Sequence, residues 1–164
     1  METIIAKDSQ ELNFRRVQDA GISNIVVLGH SGFIGRQLMQ SLRTSFLSLK
    51  ITGLSHPDVD LTNAEAVKKL EPYFQPDTAV VMCSAFKKQW GDHLDGFHQN
   101  ISMVVNVARV LENRPVKKFM YFSSAAVYGE DVAHEIISEQ TPVCPTSFYG
   151  IAKYSSECVL RKIF

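Results

Sequence analysis

Three glycines at regular spacing, set between an apolar run and an amphipathic segment, constrain this fold more than any other feature of the chain. Residues 25–28 (IVVL) are wholly apolar, which is typical of a short strand buried on both faces. Gly29, Gly32 and Gly35 follow at once in the sequence GHSGFIG, and residues 33–49 carry apolar side chains at helical spacing. The pattern predicts a strand, a tight turn and a helix in direct succession.

The same alternation continues along the rest of the chain. Further strands are predicted at residues 51–54, 78–85 and 118–123. Further helices are predicted at residues 63–73, 97–113 and 147–160. Alternating strands and helices imply parallel strands joined by crossover helices, with helices on both faces of the sheet. We therefore predict an α/β fold with a doubly wound parallel sheet over residues 24–164, preceded by an N-terminal extension of residues 1–23.

The composition excludes several classes of protein. The chain carries 17 basic and 17 acidic side chains, a neutral balance that disfavours a nucleic-acid partner. No apolar run approaches the roughly 20 residues that span a bilayer, so no membrane segment is expected. The cysteines are far apart and His56, His93 and His98 lack partners at ligand spacing, so neither disulfides nor a metal site is predicted. These features favour a reducing, cytoplasmic location.

The glycine turn has the chemistry of a dinucleotide site. Its first glycine permits the tight turn, its second lets a pyrophosphate approach the backbone, and its third lets helix and strand pack closely. The N–H groups and the dipole at the helix start then attract phosphates. A plain strand–helix turn is the alternative. An acid is expected about 20 residues on, at the ribose 2′-OH. Ser55 stands there, which leaves NAD and NADP open, with Arg36, Ser55 or His56 near a 2′-phosphate.

A tyrosine and a lysine at i and i+4 form a second pattern. Tyr149 and Lys153 share one helix face at this spacing. An ammonium beside a phenol stabilises the phenolate and lowers the phenol pKa, which suits the tyrosine for proton transfer. Taken alone, the pair occurs often by chance, and an exposed aromatic–cation contact is then the favoured interpretation. Ser123 and Ser124 favour the first interpretation, because they follow the fourth predicted strand at the edge where parallel sheets bind ligands. Capping of the strand end is their alternative role.

Taken together, GHSGFIG, FSSAAVYG and YGIAK resemble the extended short-chain dehydrogenase/reductase family, the NAD(P)-dependent nucleotide-sugar epimerases, dehydratases and reductases. The resemblance covers residues 24–162 in order. It implies a Rossmann fold, truncated and lacking the C-terminal substrate domain, with NAD or NADP as the cofactor. The sheet would then end on an uncovered apolar edge, which is a site for association between copies, for example as a homodimer.

The resemblance also implies roles for individual residues. Ser124 would be the catalytic serine, Tyr149 the acid/base, and Lys153 both the activator of the tyrosine and a ribose ligand. Asp60 and Leu61 would lie beside the adenine. With the glycine turn included, the predicted cofactor-binding set is Gly29, Ser31, Gly32, Phe33, Ile34, Gly35, Asp60, Leu61, Ser84, Ala85, Lys87, Asn100, Ser123, Tyr149 and Lys153.

These residues predict an NAD(P)-dependent sugar-nucleotide epimerase, dehydratase or reductase. Hydride would pass between a sugar carbon and the nicotinamide while Tyr149 moves the hydroxyl proton, and a nucleotide sugar is the expected substrate. The short crossover at residues 55–63 favours the reductase branch. The alternative is a cofactor-binding module or a truncated fragment without catalytic activity, since the substrate pocket would lie beyond residue 164.

Overall fold

The computed structural model describes residues 20–129, 136–138 and 140–164. Within these residues one sheet is formed by β1 (Asn24–Leu28), β2 (Lys50–Leu54), β3 (Thr78–Met82) and β4 (Lys118–Tyr121). Neighbouring strands are parallel, and their order in the sheet is β2-β1-β3-β4. The predicted parallel sheet is confirmed. Most of the predicted N-terminal extension, residues 1–19, lies outside the described part of the chain.

Helices cover both faces of this sheet. The α-helices are α1 (Phe33–Ser45), α2 (Leu94–Asn113) and α3 (Phe148–Ile163), and short 3-10 helices occupy Ala66–Tyr73, Lys88–Trp90 and Ala125–Tyr128. One apolar cluster joins the sheet to α1. A larger one joins the opposite face to α2, α3 and the 3-10 helix at Ala66–Tyr73. The sheet is therefore doubly wound, as the alternation of elements predicts.

β1 lies between two strands, and its side chains alternate between the two clusters. Ile25 and Val27 pack on the α1 side, and Val26 and Leu28 pack on the α2 side. Val27 is 0% exposed and Leu28 is 1% exposed. A strand buried on both faces needs apolar residues in succession, which is why the run IVVL is unbroken.

The segment at residues 63–73 differs from its prediction, because it forms a 3-10 helix only over Ala66–Tyr73. The Asn63 side chain accepts hydrogen bonds from the N–H groups of Glu65 and Ala66 at 2.9 and 3.0 Å, which starts the segment as a turn. Pro72 lies inside it and has no N–H to donate to a regular α-helix. The buried face is nevertheless as predicted, since Leu70 is 0% exposed.

The ends of several other elements also differ from prediction. α1 ends at Ser45 rather than at residue 49, and α2 begins at Leu94 rather than at residue 97. β3 and β4 end at Met82 and Tyr121, before the predicted residues 85 and 123. Residues 83–85 and 122–123 therefore leave the sheet as irregular chain, and their side chains become available to the site at its edge.

Candidate functional site

A cleft of about 850 Å³ opens where the four strands end. The chain that follows each strand contributes to its wall: residues 29–35 after β1, 55–62 after β2, 83–89 after β3 and 122–123 after β4. Helix α3 adds Tyr149 and Lys153, and α2 adds Gln99 and Met103. This is the carboxyl edge of a parallel sheet, at which such folds bind their ligands. Its volume lies in the range of small-molecule and cofactor sites.

The glycine turn forms the floor of the cleft next to β1. Gly29 has a φ of +84°, a conformation that favours glycine, and its N–H donates to the Leu54 carbonyl at 2.7 Å. A Cβ on Gly35 would overlap the Gly29 carbonyl oxygen and lie 2.7 Å from His30 Cα. Gly32 is the N-cap of α1, so no side chain caps this helix, and its first turn carries no acidic residue. The start of α1 is therefore chemically suited to an anion.

Beyond β2 the cleft wall carries negative charge. The Asp58 carboxylate accepts from the Ser55 N–H and hydroxyl at 2.8 and 2.9 Å, and the pKa of Asp58 is lowered by these hydrogen bonds. Thr62 likewise donates to Asp60 through its hydroxyl and N–H and lowers the pKa of that carboxyl. His56 Nε2 lies 3.7 Å from Asp60 Oδ2. Asp60, Leu61 and Ser55 line the cleft, whereas Asp58 holds Ser55 from outside it.

Beyond β3 the predicted residues Ser84, Ala85 and Lys87 line the cleft, together with Cys83. Asn100 does not line it, although it belongs to the predicted cofactor-binding set. Its side chain is 3% exposed and accepts from the Phe86 N–H at 2.9 Å while it donates to the Phe86 carbonyl at 3.0 Å. Asn100 thus shapes the wall from behind by fixing the main chain of Phe86.

Ser124, Tyr149 and Lys153 are brought together at the β4 side of the cleft. The Ser124 hydroxyl hydrogen-bonds the Tyr149 phenol and also accepts from the Ala126 N–H at 3.2 Å. Lys153 is 2% exposed, its Nζ donates to the Phe122 carbonyl at 2.8 Å, and it lies 5.8 Å from the Tyr149 ring centroid. Tyr149 and Lys153 line the cleft directly, and Ser124 reaches it through the tyrosine.

The electrostatics of this group differ from the prediction made for Lys153. Burial raises the pKa of the Tyr149 phenol, the hydrogen bond from Ser124 opposes this, and Lys153 makes no resolved contribution. Burial also lowers the pKa of Lys153 to about 8, against weaker opposing effects of Cys83 and Glu157. The predicted lowering of the tyrosine pKa by Lys153 is therefore absent from this structure. The ammonium is directed to the Phe122 carbonyl, and the phenol is neutral at pH 7.

Sequence reasoning missed two carboxylates that support this group. Glu157 accepts from the Ser123 hydroxyl and from Arg161 Nη2, the latter at 2.6 Å. Its position four residues after Lys153, on the same helix face, is a signal that the sequence offered. Asp92 accepts hydrogen bonds from the first turn of α3 and stands 57 residues from Tyr149, so no local pattern points to it.

The order of these elements along the chain matches a known family. The family model described as "NAD dependent epimerase/dehydratase family" matches residues 25–163. The chain belongs to the NAD-dependent epimerase/dehydratase family. The resemblance recognised in the sequence motifs is thereby confirmed. Because the family is NAD-dependent, the predicted cofactor class, a nicotinamide dinucleotide, is confirmed at the level of the family.

Proteins similar to this family member carry different activities. It is 27% identical over 147 residues to N-acetyl-alpha-D-glucosaminyl-diphospho-ditrans,octacis-undecaprenol 4-epimerase of Escherichia coli O157:H7, a match that covers 85% of this chain and 43% of the epimerase. It is 27% identical over 168 residues to 2-alkyl-3-oxoalkanoate reductase of Shewanella oneidensis, covering 93% of this chain and 42% of the reductase. The chain spans less than half the length of these curated relatives.

A solved structure supports the fold. A short-chain dehydrogenase/reductase superfamily protein from Agrobacterium tumefaciens with bound NAD superposes with a TM-score of 0.71 at 24% identity, covering 85% of this chain and 44% of that one. The Rossmann-type sheet of this epimerase/dehydratase family member is thus shared with proteins about twice as long. In the part of the chain that the structure describes, no helix has both the length and the hydropathy needed to cross a membrane.

Proposed function

We propose that the cleft binds a nicotinamide dinucleotide, and that the chain supplies the cofactor-binding and proton-transfer residues of a sugar-nucleotide epimerase, dehydratase or reductase. One observation carries this proposal: the glycine turn and the Ser124–Tyr149–Lys153 group open onto the same cleft. A plain strand–helix turn would require no such convergence. An exposed aromatic–cation contact would leave the lysine in water, whereas Lys153 is 2% exposed.

Each part of the cleft has a proposed role in binding. The start of α1 and the glycine turn would receive the pyrophosphate. Asp60 and Leu61 would border the adenosine, and Ser84, Ala85 and Lys87 would line the middle of the dinucleotide. Ser123, Tyr149 and Lys153 would border its nicotinamide half. When bound, the dinucleotide supplies the carbon that gives and takes hydride, and the chain's residues position it.

Proton transfer is the proposed task of Tyr149. Its phenol is neutral at pH 7, since burial raises a pKa that is ordinarily about 10, so it can donate a proton to a substrate oxygen when a carbonyl is reduced. The hydrogen bond to Ser124 orients the phenol. Lys153 Nζ lies 5.8 Å from the Tyr149 ring and donates to the Phe122 carbonyl, so its proposed task is to hold the ribose of the dinucleotide rather than to lower the phenol pKa. Oxidation of a hydroxyl uses the same groups in the reverse direction.

Cysteine labelling during NADH titration tests whether the dinucleotide occupies this cleft. Cys83 lines the cleft, whereas Cys158 is exposed on α3 and does not line it. In a variant whose single cysteine is Cys83, NADH at about ten times its Kd should slow maleimide labelling by about tenfold. The matched variant whose single cysteine is Cys158 should label at an unchanged rate. NADH fluorescence that reports binding without protection of Cys83 would place the dinucleotide elsewhere and contradict the proposal.

The proposed proton transfer by Tyr149 is tested by measuring turnover of the wild-type chain and its variants on a panel of nucleotide sugars. Tyr149→Phe should retain NADH binding and reduce turnover to background, because the ring remains and the transferable proton is lost. Tyr154→Phe on the same helix is the control and should retain turnover. Binding by the wild-type chain without turnover on any member of the panel would favour the cofactor-binding module instead.

The charges beyond β2 predict a preference between the two dinucleotides. Ser55 stands where the ribose 2′-oxygen is expected, and both its N–H and its hydroxyl already donate to the ionised Asp58. A 2′-phosphate needs donors, and those of Ser55 are taken by a carboxylate whose negative charge lies directly behind it, whereas a 2′-OH can donate to the Ser55 oxygen. We expect NADH to bind at least about tenfold more tightly than NADPH, a difference of about 1.4 kcal/mol.

Fluorescence titration of NADH and NADPH against wild type and Asp58→Asn measures this preference. The substitution removes the charge and should narrow the difference between the two affinities. Asp95→Asn, which removes an exposed carboxylate from the first turn of α2, should leave the difference unchanged. Tighter binding of NADPH by the wild-type chain would show that this interpretation of the β2 loop is wrong.

A further inference from the structure

The first turn of α3 is held by two different residues. Ser147, the residue before the helix, accepts from the Gly150 N–H at 3.1 Å, which is an ordinary local cap. Asp92 accepts from the two preceding N–H groups: Oδ2 from Phe148 at 3.3 Å and Oδ1 from Tyr149 at 2.9 Å. The N–H of the proposed acid/base residue is therefore bound by a carboxylate from a distant part of the chain.

Asp92 belongs to a segment that also forms a wall of the cleft. This segment links β3 to α2 and includes Lys87 and Gln89, which line the cleft. It is fixed at both ends: Asn100 holds the main chain of Phe86, and His93 Nδ1 accepts from the Gly96 N–H at 3.1 Å. Asp92 therefore connects a fixed wall of the cleft to the helix that carries Tyr149.

A second contact lies beside this connection but acts differently. The rings of Phe97 on α2 and Phe148 on α3 lie 6.5 Å apart, which packs the two helices together near the start of α3. Packing of this kind limits the distance between helices. The two hydrogen bonds to Asp92 have direction as well, so they fix the rotation of the first turn and with it the direction in which the Tyr149 side chain leaves the backbone.

We propose that Asp92 is a positioning residue for Tyr149, which fixes the tyrosine backbone against the β3–α2 segment so that the phenol meets Ser124. This inference rests on the proposed function for the role of Tyr149, but the connection itself is a property of the fold. It distinguishes Asp92 from a helix cap, because a cap stabilises the helix without setting its place relative to the cleft wall.

Two alanine substitutions at the same helix start separate positioning from capping. Asp92→Ala and Ser147→Ala each remove a partner of the first-turn N–H groups, so both should lower thermal stability. The readout is the fluorine NMR signal of 3-fluorotyrosine at position 149, assigned by its absence in Tyr149→Phe. We expect Asp92→Ala to move this signal and to shift its pH titration towards that of an exposed tyrosine. Ser147→Ala should change neither.

A third variant and an NADH titration of the wild-type chain complete the test. Asp92→Asn keeps one carbonyl acceptor, so its Tyr149 signal should lie between those of wild type and Asp92→Ala. If Asp92→Ala does not fold, Asp92→Asn takes its place in the comparison with Ser147→Ala. Equal displacement of the signal by Ser147→Ala and Asp92→Ala would overturn the proposal, as would no displacement by either Asp92 variant. Failure of the wild-type chain to bind NADH would refute the proposed function alone, since the NMR comparison needs no ligand.

Discussion

Replacing Gly35 with alanine is expected to abolish NADH binding and to lower the stability of the fold. The new Cβ would overlap the Gly29 carbonyl oxygen and crowd His30 Cα at 2.7 Å, and both neighbours are backbone atoms that cannot rotate away. Relief requires α1 to move from β1, which displaces the helix start on which the proposed pyrophosphate site depends. Urea unfolding and NADH titration of the same sample measure the two losses.

Gly32→Ala is the matched control, because its Cβ would approach the same Gly29 oxygen at 3.3 Å only. This contact is tight but tolerable, so stability should change little. If the turn binds a dinucleotide, the added methyl obstructs the approach of the pyrophosphate to the backbone and NADH binding should still weaken. A plain strand–helix turn would show no effect of Gly32→Ala on binding. Wild-type affinity in Gly35→Ala would contradict the proposed site.

The sequence predicted those parts of the fold in which the residues of a short segment determine both its secondary structure and its buried face. β1, the glycine turn and α1 are consecutive, and each is specified by its own residues: apolar side chains in succession, glycines at a turn, and helical periodicity. The same reasoning predicted burial at Leu70 but not the 3-10 geometry around it. That geometry depends on three influences together: the Asn63 turn, Pro72 and packing on the sheet. The spacing of apolar residues contains no information about their balance.

Most residues that line the candidate cleft were predictable, whereas their electrostatics and the supporting carboxylates were not. Motif spacing brings Tyr149 and Lys153 to one helix face, and the topology brings that face to the glycine turn. The direction of a pKa shift depends on burial and on hydrogen-bond partners from other parts of the chain. The Phe122 carbonyl that binds Lys153 is 31 residues away in sequence, and Asp92 is 57 residues from Tyr149. Such partners follow from tertiary packing alone.

The stability of the protein is expected to rise with pH through the range in which Lys153 titrates. Its pKa is about 8 in the folded state against a usual value of 10.5. Below about pH 8 both states hold the proton and the cost of burying the ammonium is fully present. Between these values the unfolded chain binds a proton that the folded chain does not, so stability rises with pH by up to about 1.4 kcal/mol per unit. The full effect is roughly 3 kcal/mol.

Other titratable groups around Lys153 lower the stability of the fold as the pH rises. Burial raises the pKa of the Cys83 thiol and of the Tyr149 phenol, and raises the pKa of Tyr121 to about 12. Each of these keeps a proton in the folded state that the unfolded chain loses, so each reduces stability as the pH rises above its ordinary pKa. Lys153→Met retains these groups. The free energy of unfolding of the wild type minus that of Lys153→Met therefore cancels Tyr121 and Tyr149, and it reports the lysine together with its charge interactions with Cys83 and Glu157.

Urea unfolding of both proteins in reducing buffer from about pH 7 to about pH 10 measures this difference, which should rise steadily above about pH 8. Lys162→Met, at an exposed position on the same helix, is the control. When it replaces the wild type in the comparison with Lys153→Met, the difference should rise with pH in the same way. A difference that stays flat would mean that Lys153 keeps its proton in the folded state, as a lysine open to water would. Its burial between the Phe122 carbonyl and the Tyr121 ring would then be wrong.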